Sequence, residues 1–324
     1  MLTEYEELLE QHGTITAAAK ALGIPRTTLR DRVRKDTFKT PEFPESDIPI
    51  QDVLDYISRR YEQRVQSYDA HTWYPIEFMD NKPIGVLWFG DPHLGDNGCN
   101  VPELIKHTEY CANVEGLYGV NIGDSSNNWS GRLSHLYAEQ DTSKKTERRL
   151  VEWLMHESGV KWLAWLIGNH DAWSDGGEIL SMMGNKYGTH QIVCHDWEAR
   201  FRLVFPNTEY KVYASHDFKG HSMWNPMHGP MKAGMIGQEA DIYVSGHKHN
   251  WGTFTFENTS RGKQQHFIRV RGYKFMDEYA RRLGILEQTG GCSILTVFNP
   301  KTKTMTTFED IDSGVKFLEF MRSN

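Results

Sequence analysis

The chain has 324 residues, a formal net charge of −7 and a hydrophobic fraction of 39%. This composition excludes a disordered chain and is typical of a folded protein with one large core and a small second domain. The charge is too weak to indicate a nucleic-acid partner by itself. No apolar run approaches the roughly 20 residues that cross a membrane. The acidic start, Met1–Glu7, lacks the pattern of a signal peptide, and we therefore predict a cytoplasmic protein without a membrane partner.

The four cysteines are dispersed and form no Cys-x-x-Cys pair. They are Cys99, Cys111, Cys194 and Cys292. We predict free thiols rather than a disulfide framework or a zinc knuckle, as in a reducing compartment.

Residues 1–40 predict a separate all-α unit. Gly13 is expected to end a first helix, and Thr16 is expected to cap a second helix over Ala17–Leu22. Gly23 supplies a tight turn, and Pro25 suits the first turn of a third helix that runs to about Lys35. The surface of this third helix is rich in arginine.

The segment TAAAKALGIPRTTL resembles a small Fis-like helix-turn-helix. The resemblance covers about a tenth of the chain and implies that residues 25–35 form a recognition helix. The residues expected to contact DNA are Arg26, Thr27, Thr28, Arg30 and Arg34. A three-helix module that docks a protein through a solvated basic face remains the alternative.

Residues 41–81 are predicted to hold a linker and an amphipathic helix, and residues 82–324 the main domain. Pro41 and Pro44 are typical of a linker, and the apolar positions from Val53 to Val65 follow helical spacing. Trp73–Phe78 is a predicted strand. Residues 250–324 predict three further strands and a closing helix near Gly314–Met321, which we expect to complete the second sheet. These three strands are Gly252–Glu257, His266–Val270 and Ser293–Phe298.

Five motifs that carry histidine or acidic residues each follow an apolar run that predicts a buried strand. The runs are Ile84–Phe89, Tyr118–Ile122, Trp162–Ile167, Tyr210–Ser215 and Asp241–Ser245. The motifs are GDPH at 90–93, GDSSNN at 123–128, GNHD at 168–171, SH at 215–216 and GHKH at 246–249. Any one histidine alone is more often structural, but the fixed order of five such motifs predicts a metal site.

From about Ile84 to His249 these motifs resemble those of calcineurin-like metallophosphoesterases. The resemblance implies an α/β fold, a four-layer αββα sandwich with two divalent cations at the strand ends, here joined to the small N-terminal helix-turn-helix domain. It implies that the first cation is held by Asp91, His93, Asp124 and His249. The second would be held by Asp124, Asn169, His216 and His247. The fourth motif departs from the usual His-Gly, because Asp217 follows His216 and a second histidine, His221, lies nearby.

The resemblance implies hydrolysis without a protein nucleophile. Two cations lower the pKa of a bridging water, which attacks phosphorus in line. His170 is expected beside the substrate phosphate as a catalytic residue, oriented by Asp171. The mixed oxygen and nitrogen ligands favour Mn²⁺, with Fe, Zn²⁺ and Ni²⁺ as alternatives.

The substrate is less well defined than the site. The residues expected to bind substrate are Asn128, Trp129, Arg132 and His221, although Trp129 could equally pack in a lid. The basic residues Arg269, Arg271, Lys274, Arg281 and Arg282 could bind phosphate or form a solvated face. The leading interpretation is a DNA nuclease or phosphodiesterase tethered by its N-terminal domain. A hydrolase of small phosphodiesters with a docking domain, or a non-enzymatic DNA-binding regulator, are the alternatives.

A fusion of this kind is typical of bacteriophage or prophage proteins, which would place the protein in the host cytoplasm. Because short helix-turn-helix proteins often bind DNA as dimers, a homo-oligomer is also expected.

Overall fold

The structure is a computed structural model that describes residues 11–12, 14–26, 28–29, 49–174, 176–185, 192–220, 222, 224–259, 262–275 and 293–324. The chain divides into two compact units, Met1–Ser67 and Tyr68–Asn324. Each unit is described by itself.

In the first unit, helix α1 spans Ile15–Ala21. The hydroxyl oxygen of Thr14 accepts a hydrogen bond from the backbone N–H of Ala17 at 3.1 Å, which satisfies one of the free donors of the first turn. Thr14 has extended backbone angles, whereas Thr16 is already helical. The prediction that Thr16 caps this helix is therefore wrong, because a cap residue must precede the helical backbone.

The turn after α1 agrees with the sequence prediction. Gly23 has a φ of 63°, a left-handed conformation that glycine adopts without strain. The backbone N–H of Leu29 donates to the carbonyl oxygen of Pro25 at 3.1 Å, as in a helix that starts at this proline. Ala18, Ala19 and Leu29 are buried together and form the small core of the described part of this unit.

Helix α2 spans Ile50–His71, longer than the predicted apolar pattern from Val53 to Val65. The hydroxyl of Thr72 donates to the carbonyl oxygen of Tyr68 at the end of the helix. Strand β1 then begins at Thr72 without an intervening loop. No described helix is long and apolar enough to cross a membrane.

The second unit contains two six-stranded sheets. The strands of the first sheet are β2 (Ile84–Phe89), β3 (Leu117–Asn121), β4 (Trp162–Ile167), β5 (Cys194–Asp196), β11 (Ser293–Asn299) and β12 (Thr304–Phe308). Those of the second sheet are β1 (Thr72–Glu77), β6 (Glu198–Phe205), β7 (Thr208–Ser215), β8 (Ile242–Ser245), β9 (Gly252–Asn258) and β10 (Lys263–Arg269). The spatial orders are β12-β11-β2-β3-β4-β5 and β1-β6-β7-β8-β10-β9.

One topological prediction is wrong. The strands after the last motif were expected to complete the second sheet, and β9 and β10 do so. Strand β11 instead pairs antiparallel with β2, at the centre of the first sheet. Its burial on both faces suits a central strand, but the choice of sheet depends on a partner about 200 residues away in sequence.

The helices of the second unit connect and cover these strands. They are α3 (Val101–Asn113), a 3₁₀ helix (Gly131–Glu139), α4 (Lys144–His156), α5 (Asn169–Ala172), α6 (Gly176–Asn185), α7 (His228–Ile236) and α8 (Ile311–Ser323). The closing helix is one turn longer at its start than the predicted Gly314–Met321.

Four layers follow from the three main apolar clusters of this unit. Trp88 of the first sheet and Phe201 and Val212 of the second belong to one buried cluster, so the two sheets pack face to face. On the outer face of the first sheet, Leu87 packs in a cluster with residues of α3, α4 and α8. On the outer face of the second sheet, Tyr243 packs with residues that include Met231 of α7. The predicted αββα sandwich with a small N-terminal helical region is confirmed.

The pairing directions place the motifs at one edge of the sandwich. Strands β2, β3 and β4 run parallel, and so do β7 and β8. Since the carboxyl ends of parallel strands meet at the same edge of a sheet, the residues that follow these five strands are brought together.

Candidate metal centre

Asp91 follows β2 and is fully buried. Its Oδ2 accepts a hydrogen bond from the backbone N–H of His247 at 2.8 Å, which ties the first motif to the fifth. Its Oδ1 has no hydrogen-bond partner among the described residues, and the nearest cationic nitrogen, Nδ1 of His216, lies 3.6 Å away. A buried carboxylate oxygen without a donor is costly unless a cation satisfies it.

Asp124 follows β3 and occupies the middle of the site. Its Oδ1 accepts a hydrogen bond from the backbone N–H of His170 at 2.9 Å. Its Oδ2 lies 3.4 Å from Nε2 of His216 and 4.0 Å from Nε2 of His93. Asp124 therefore contacts histidines on both sides.

Two groups of ligand atoms can be drawn around Asp124. One contains His93, Asp124 and His170, and the other contains Asp124, His216 and His247. Within each group the ligand atoms lie within 4.8 Å of one another. Asp124 belongs to both, which is the position that a carboxylate bridging two cations would take.

The remaining predicted ligands border these two groups. Nε2 of His249 lies 3.2 Å from Nε2 of His93. Oδ1 of Asn169 lies 3.0 Å from Nε2 of His216, which in turn lies 3.1 Å from Nδ1 of His247. The structure thus brings all seven predicted metal ligands together, His216 among them; His221, the alternative in the fourth motif, lies outside the described residues.

Backbone strain marks the same residues. Five of the predicted ligands have φ between 34° and 67°, a backbone region that residues other than glycine rarely adopt. They are Asp91, His93, Asp124, His247 and His249. Each such residue costs on the order of 1–3 kcal/mol and persists where the surroundings fix it. The clustering of this strain at the strand ends agrees with a functional site.

Two motif glycines permit the close approach of the loops. A Cβ on Gly168 would lie 2.2 Å from Oδ1 of Asp124, and a Cβ on Gly90 would lie 2.2 Å from the carbonyl oxygen of Arg271. Neither distance is tolerable for a carbon atom, so these positions require glycine.

The carboxylates and His216 form a charged cluster. Burial raises the pKa of Asp91 to about 8, and the charge of Asp124 adds to this, against the effect of His216. Burial also raises the pKa of Asp124, but His216 and His170 outweigh it and hold the pKa well below its usual value. For His216 burial lowers the pKa, but Asp124 and Asp91 outweigh burial and raise it to about 10. Without a cation, His216 is therefore the counter-charge of the Asp124 carboxylate.

The other three histidines among the predicted metal ligands are held neutral. Burial lowers the pKa of His93 well below its usual value and lowers the pKa of His247 and of His249 to about 4. A neutral imidazole has a free lone pair, which is the form that binds a metal ion. Neutral imidazoles, carboxylates and one amide oxygen form a donor set that fits divalent cations of the first transition row. The unsatisfied Oδ1 of Asp91 fits the same conclusion.

The two predicted catalytic residues, His170 and Asp171, make separate contacts and do not orient each other. Nδ1 of His170 lies 2.7 Å from the carbonyl oxygen of Asn127, so it donates there, and its ring packs 4.2 Å from the ring of Trp173. Asp171 accepts from the backbone N–H of Ser125 at 2.9 Å and of Gly168 at 3.1 Å. The expected orienting contact from Asp171 to His170 is thus replaced by the Asn127 carbonyl, and Asp171 braces the two loops behind the site.

Two of the residues expected to bind substrate are buried supports. The side-chain amide of Asn128 donates to the carbonyl oxygens of His170 at 2.8 Å and Trp173 at 2.9 Å. The indole N–H of Trp129 donates to Gln140, and the ring is 5% exposed, which favours the packing alternative. Arg132 is exposed on the 3₁₀ helix.

Sequence reasoning missed three residues near the centre. Nδ1 of His93 lies 2.9 Å from Oδ1 of Asn127, so Asn127 fixes the tautomer of a predicted ligand. Lys274 was grouped with a basic region, but it is buried and its Nζ lies 2.7 Å from Oδ2 of Asp96. The indole of Trp197 packs 5.1 Å from the ring of His216. The only sequence signal for Asn127 was its place in the second motif.

The basic region after the last motif is not a solvated face where the structure describes it. Arg269, Arg271 and Lys274 are all buried. Arg269 donates to Asp217 and to the carbonyl oxygen of Gly246. Arg281 and Arg282 lie outside the described residues, as does Cys292; Cys111 and Cys194 are free thiols.

The structure describes only two of the five residues that were predicted to contact DNA. Arg26 is exposed and Thr28 is half-buried, both in helical backbone. Thr27, Arg30 and Arg34 lie outside the described residues.

The comparisons with known proteins agree with the N-terminal interpretation. Residues 6–35 match the family model described as "Bacterial regulatory protein, Fis family". None of the curated proteins compared with this chain matches it.

Solved structures are similar to this chain over about two thirds of its length. The chain is similar to Vps29 of Entamoeba histolytica in complex with zinc, with 8% identity, a TM-score of 0.37, and coverage of 69% of this chain and 97% of that one. It is also similar to a metallophosphoesterase from Sphaerobacter thermophilus, with 12% identity, a TM-score of 0.35, and coverage of 72% of this chain and 91% of that one. The chain thus joins a segment that matches a Fis-family model to an α/β sandwich with clustered candidate metal ligands.

Proposed function

We propose that the protein is a dinuclear, metal-dependent phosphodiesterase that acts on DNA. The observation that carries this proposal is the sharing of Asp124 between two groups of ligand atoms. Asp91, His93 and His249 would complete the first cation site, and Asn169, His216 and His247 the second. Mn²⁺ is the proposed cation, because the site offers imidazole and oxygen donors and no thiolate.

A bound pair of divalent cations would supply Lewis acidity toward water and toward the charge of a phosphate. The chain supplies the rest. The backbone N–H of His170 holds the carboxylate of Asp124 in place. His170, with Nδ1 committed to the Asn127 carbonyl, directs Nε2 away from that loop, where it can donate a proton to a leaving oxygen. Because no protein nucleophile is involved, hydrolysis is the expected reaction class.

The experiment is hydrolysis of bis(p-nitrophenyl) phosphate by the Mn²⁺-loaded protein. The variant Asp124→Ala should lose about 100-fold or more of the activity, because it removes a group shared by both sites. Asp141→Ala, which changes an exposed aspartate outside the two groups, should leave the rate unchanged. Equal rates for wild type and Asp124→Ala would refute the enzymatic proposal.

DNA is the proposed substrate because a Fis-type segment precedes the hydrolytic domain. If this segment tethers the protein to DNA, the double variant Arg26→Glu, Arg30→Glu should cleave DNA more slowly. Its turnover of bis(p-nitrophenyl) phosphate should be unchanged. Single-stranded and duplex DNA are compared at two salt concentrations, since phosphate contacts weaken as salt rises. DNA cleavage that is indifferent to both substitutions would favour the alternative, a hydrolase of small phosphodiesters with a docking domain. The proposed location is the cytoplasm.

A further inference from the structure

Trp197 combines three features that a packing residue does not need together. It lies between β5 and β6, its φ is 64°, and its side chain is 38% exposed. A left-handed conformation is a clear outlier for a bulky residue and is energetically unfavourable. The same backbone region is adopted by five of the predicted metal ligands. Trp197 therefore shares their strain without being able to bind a cation.

Three hydrogen bonds hold Trp197 in this conformation. Its backbone N–H donates to the carbonyl oxygen of Ile167 at 3.2 Å, and its own carbonyl oxygen accepts from the backbone N–H of His216 at 2.8 Å. The indole N–H donates to the carbonyl oxygen of Asp217 at 3.2 Å. The bonds to Ile167 and His216 thus fix the backbone of Trp197, and the bond to Asp217 fixes the plane of its ring.

The fixed ring lies beside the second group of ligand atoms. Its centroid is 5.1 Å from that of His216, at an interplanar angle of 80°, and 6.4 Å from that of His247. The indole, 38% exposed, therefore lies next to two of the proposed ligands of the second cation.

Trp197 differs in this respect from the aromatic residues on the other side of the site. Trp129 is 5% exposed, and its indole N–H is committed to Gln140. Trp173 is half-buried and packs against His170 at 4.2 Å. Trp197 is the tryptophan of these three that presents a large exposed ring next to the candidate ligands.

We propose that Trp197 is a substrate-binding residue that stacks on a nucleobase next to the phosphate to be cleaved. This inference rests on the proposed function and narrows its substrate class to diesters that carry a planar base. Stacking on tryptophan suits any base, because every base has a π-face, and a rigid ring loses little entropy when it binds. The strain of the left-handed backbone is offset by the hydrogen bonds that orient the ring.

The test compares two substrates that differ only in their bases. One is a thymidine dinucleotide, and the other is the same phosphodiester with an abasic tetrahydrofuran in place of each nucleoside. For the Mn²⁺-loaded protein, Trp197→Ala should raise KM for the base-containing substrate about 10-fold. It should change KM for the abasic substrate less than about twofold, and Trp197→Phe should retain most of the affinity. Phe320→Ala, at an exposed aromatic of α8, is the matched control and should alter neither substrate.

Binding provides a second readout that does not depend on turnover. The phosphorothioate form of the thymidine dinucleotide is titrated into wild type and Trp197→Ala, and the affinity should fall by the same factor. If Trp197→Ala weakens the affinity for both substrates equally, or for neither, Trp197 only packs beneath His216 and the inference is overturned. A wild type that binds the analogue but hydrolyses no diester refutes the proposed function and leaves the stacking result to be judged from binding alone.

Discussion

Nε2 of His93 and Nε2 of His249 lie 3.2 Å apart, and burial lowers the pKa of both imidazoles. Without a cation, Nε2–H of His249 can donate to the Nε2 lone pair of His93, whose Nδ1 donates to Asn127. A divalent cation between the rings would accept both lone pairs, and the carboxylate of Asp124 beside them would offset its charge.

The first prediction concerns cation binding and stability. Mn²⁺ at about 100 times its dissociation constant should stabilise the folded protein by about 3 kcal/mol, because it binds the folded site alone. The melting temperature should rise by several degrees, and EDTA should reverse the rise. Differential scanning fluorimetry measures both. His249→Ala should reduce the shift, whereas His135→Ala, on the exposed 3₁₀ helix, should not. An equal shift in both variants would contradict the assignment of His249.

The second prediction concerns the orientation of His93. Asn127 accepts from Nδ1 of His93, and its amide nitrogen donates to Asp96 and Gln140, which fixes its orientation. Asn127→Ala should weaken Mn²⁺ binding about 10- to 100-fold, because the ligand loses the group that fixes its tautomer. Isothermal titration calorimetry checks this, with the exposed Asn113→Ala as control. Unchanged affinity would show that His93 is held by packing alone.

The third prediction compares a glycine of a motif loop, Gly168, with a glycine of a helix, Gly177. In Gly168→Ala the new methyl group would lie 2.2 Å from Oδ1 of Asp124, so the loops must separate. We expect a loss of stability of about 2 kcal/mol together with a loss of cation binding. Gly177 lies in helix α6 with nothing closer than 3.8 Å to an added Cβ, so Gly177→Ala should be neutral or stabilising by about 0.5 kcal/mol. Urea denaturation with and without Mn²⁺ distinguishes the two variants.

The fourth prediction compares two ion pairs of equal length. Nζ of Lys274 lies 2.7 Å from Asp96 in buried surroundings, and Nζ of Lys106 lies 2.7 Å from Asp312 with both side chains about 40% exposed. Lys274→Met should cost about 3 kcal/mol of unfolding free energy, since it leaves the Asp96 carboxylate unpaired in a buried site. Lys106→Met should cost less than about 1 kcal/mol, because solvent screens that pair. Similar losses would mean that burial does not decide the strength of these pairs.

The fifth prediction tests the N-terminal unit. Thr14→Ala removes the acceptor for the backbone N–H of Ala17 and should destabilise helix α1 by about 1 kcal/mol. Hydrogen exchange of the α1 amides should then be about fivefold faster. Thr16→Ala, at an exposed helical position, should leave exchange unchanged or slower, since alanine is the better helix former. The opposite result would restore Thr16 as the cap.

The sequence by itself determined the strands and the order of the motifs. Ile84–Phe89 and Trp162–Ile167 agree with the structure at both ends, because a short apolar run bounded by glycine is a local signal. The polar residues directly after such runs had to lie at strand ends. The candidate ligands, including Asp91 and Asp124, could therefore be predicted from the sequence.

Only the tertiary structure decided which residues support these ligands. The partner of His93 is Asn127, the partner of Lys274 is Asp96, and the ring beside His216 belongs to Trp197. The cap of α1 was misplaced by two residues for a related reason, since Thr14 and Thr16 compete locally and the backbone angles decide between them. Hydrophobic periodicity reports whether a residue is buried, but contacts between residues 19 to 178 positions apart depend on how the sheets pair and pack, which no local pattern encodes.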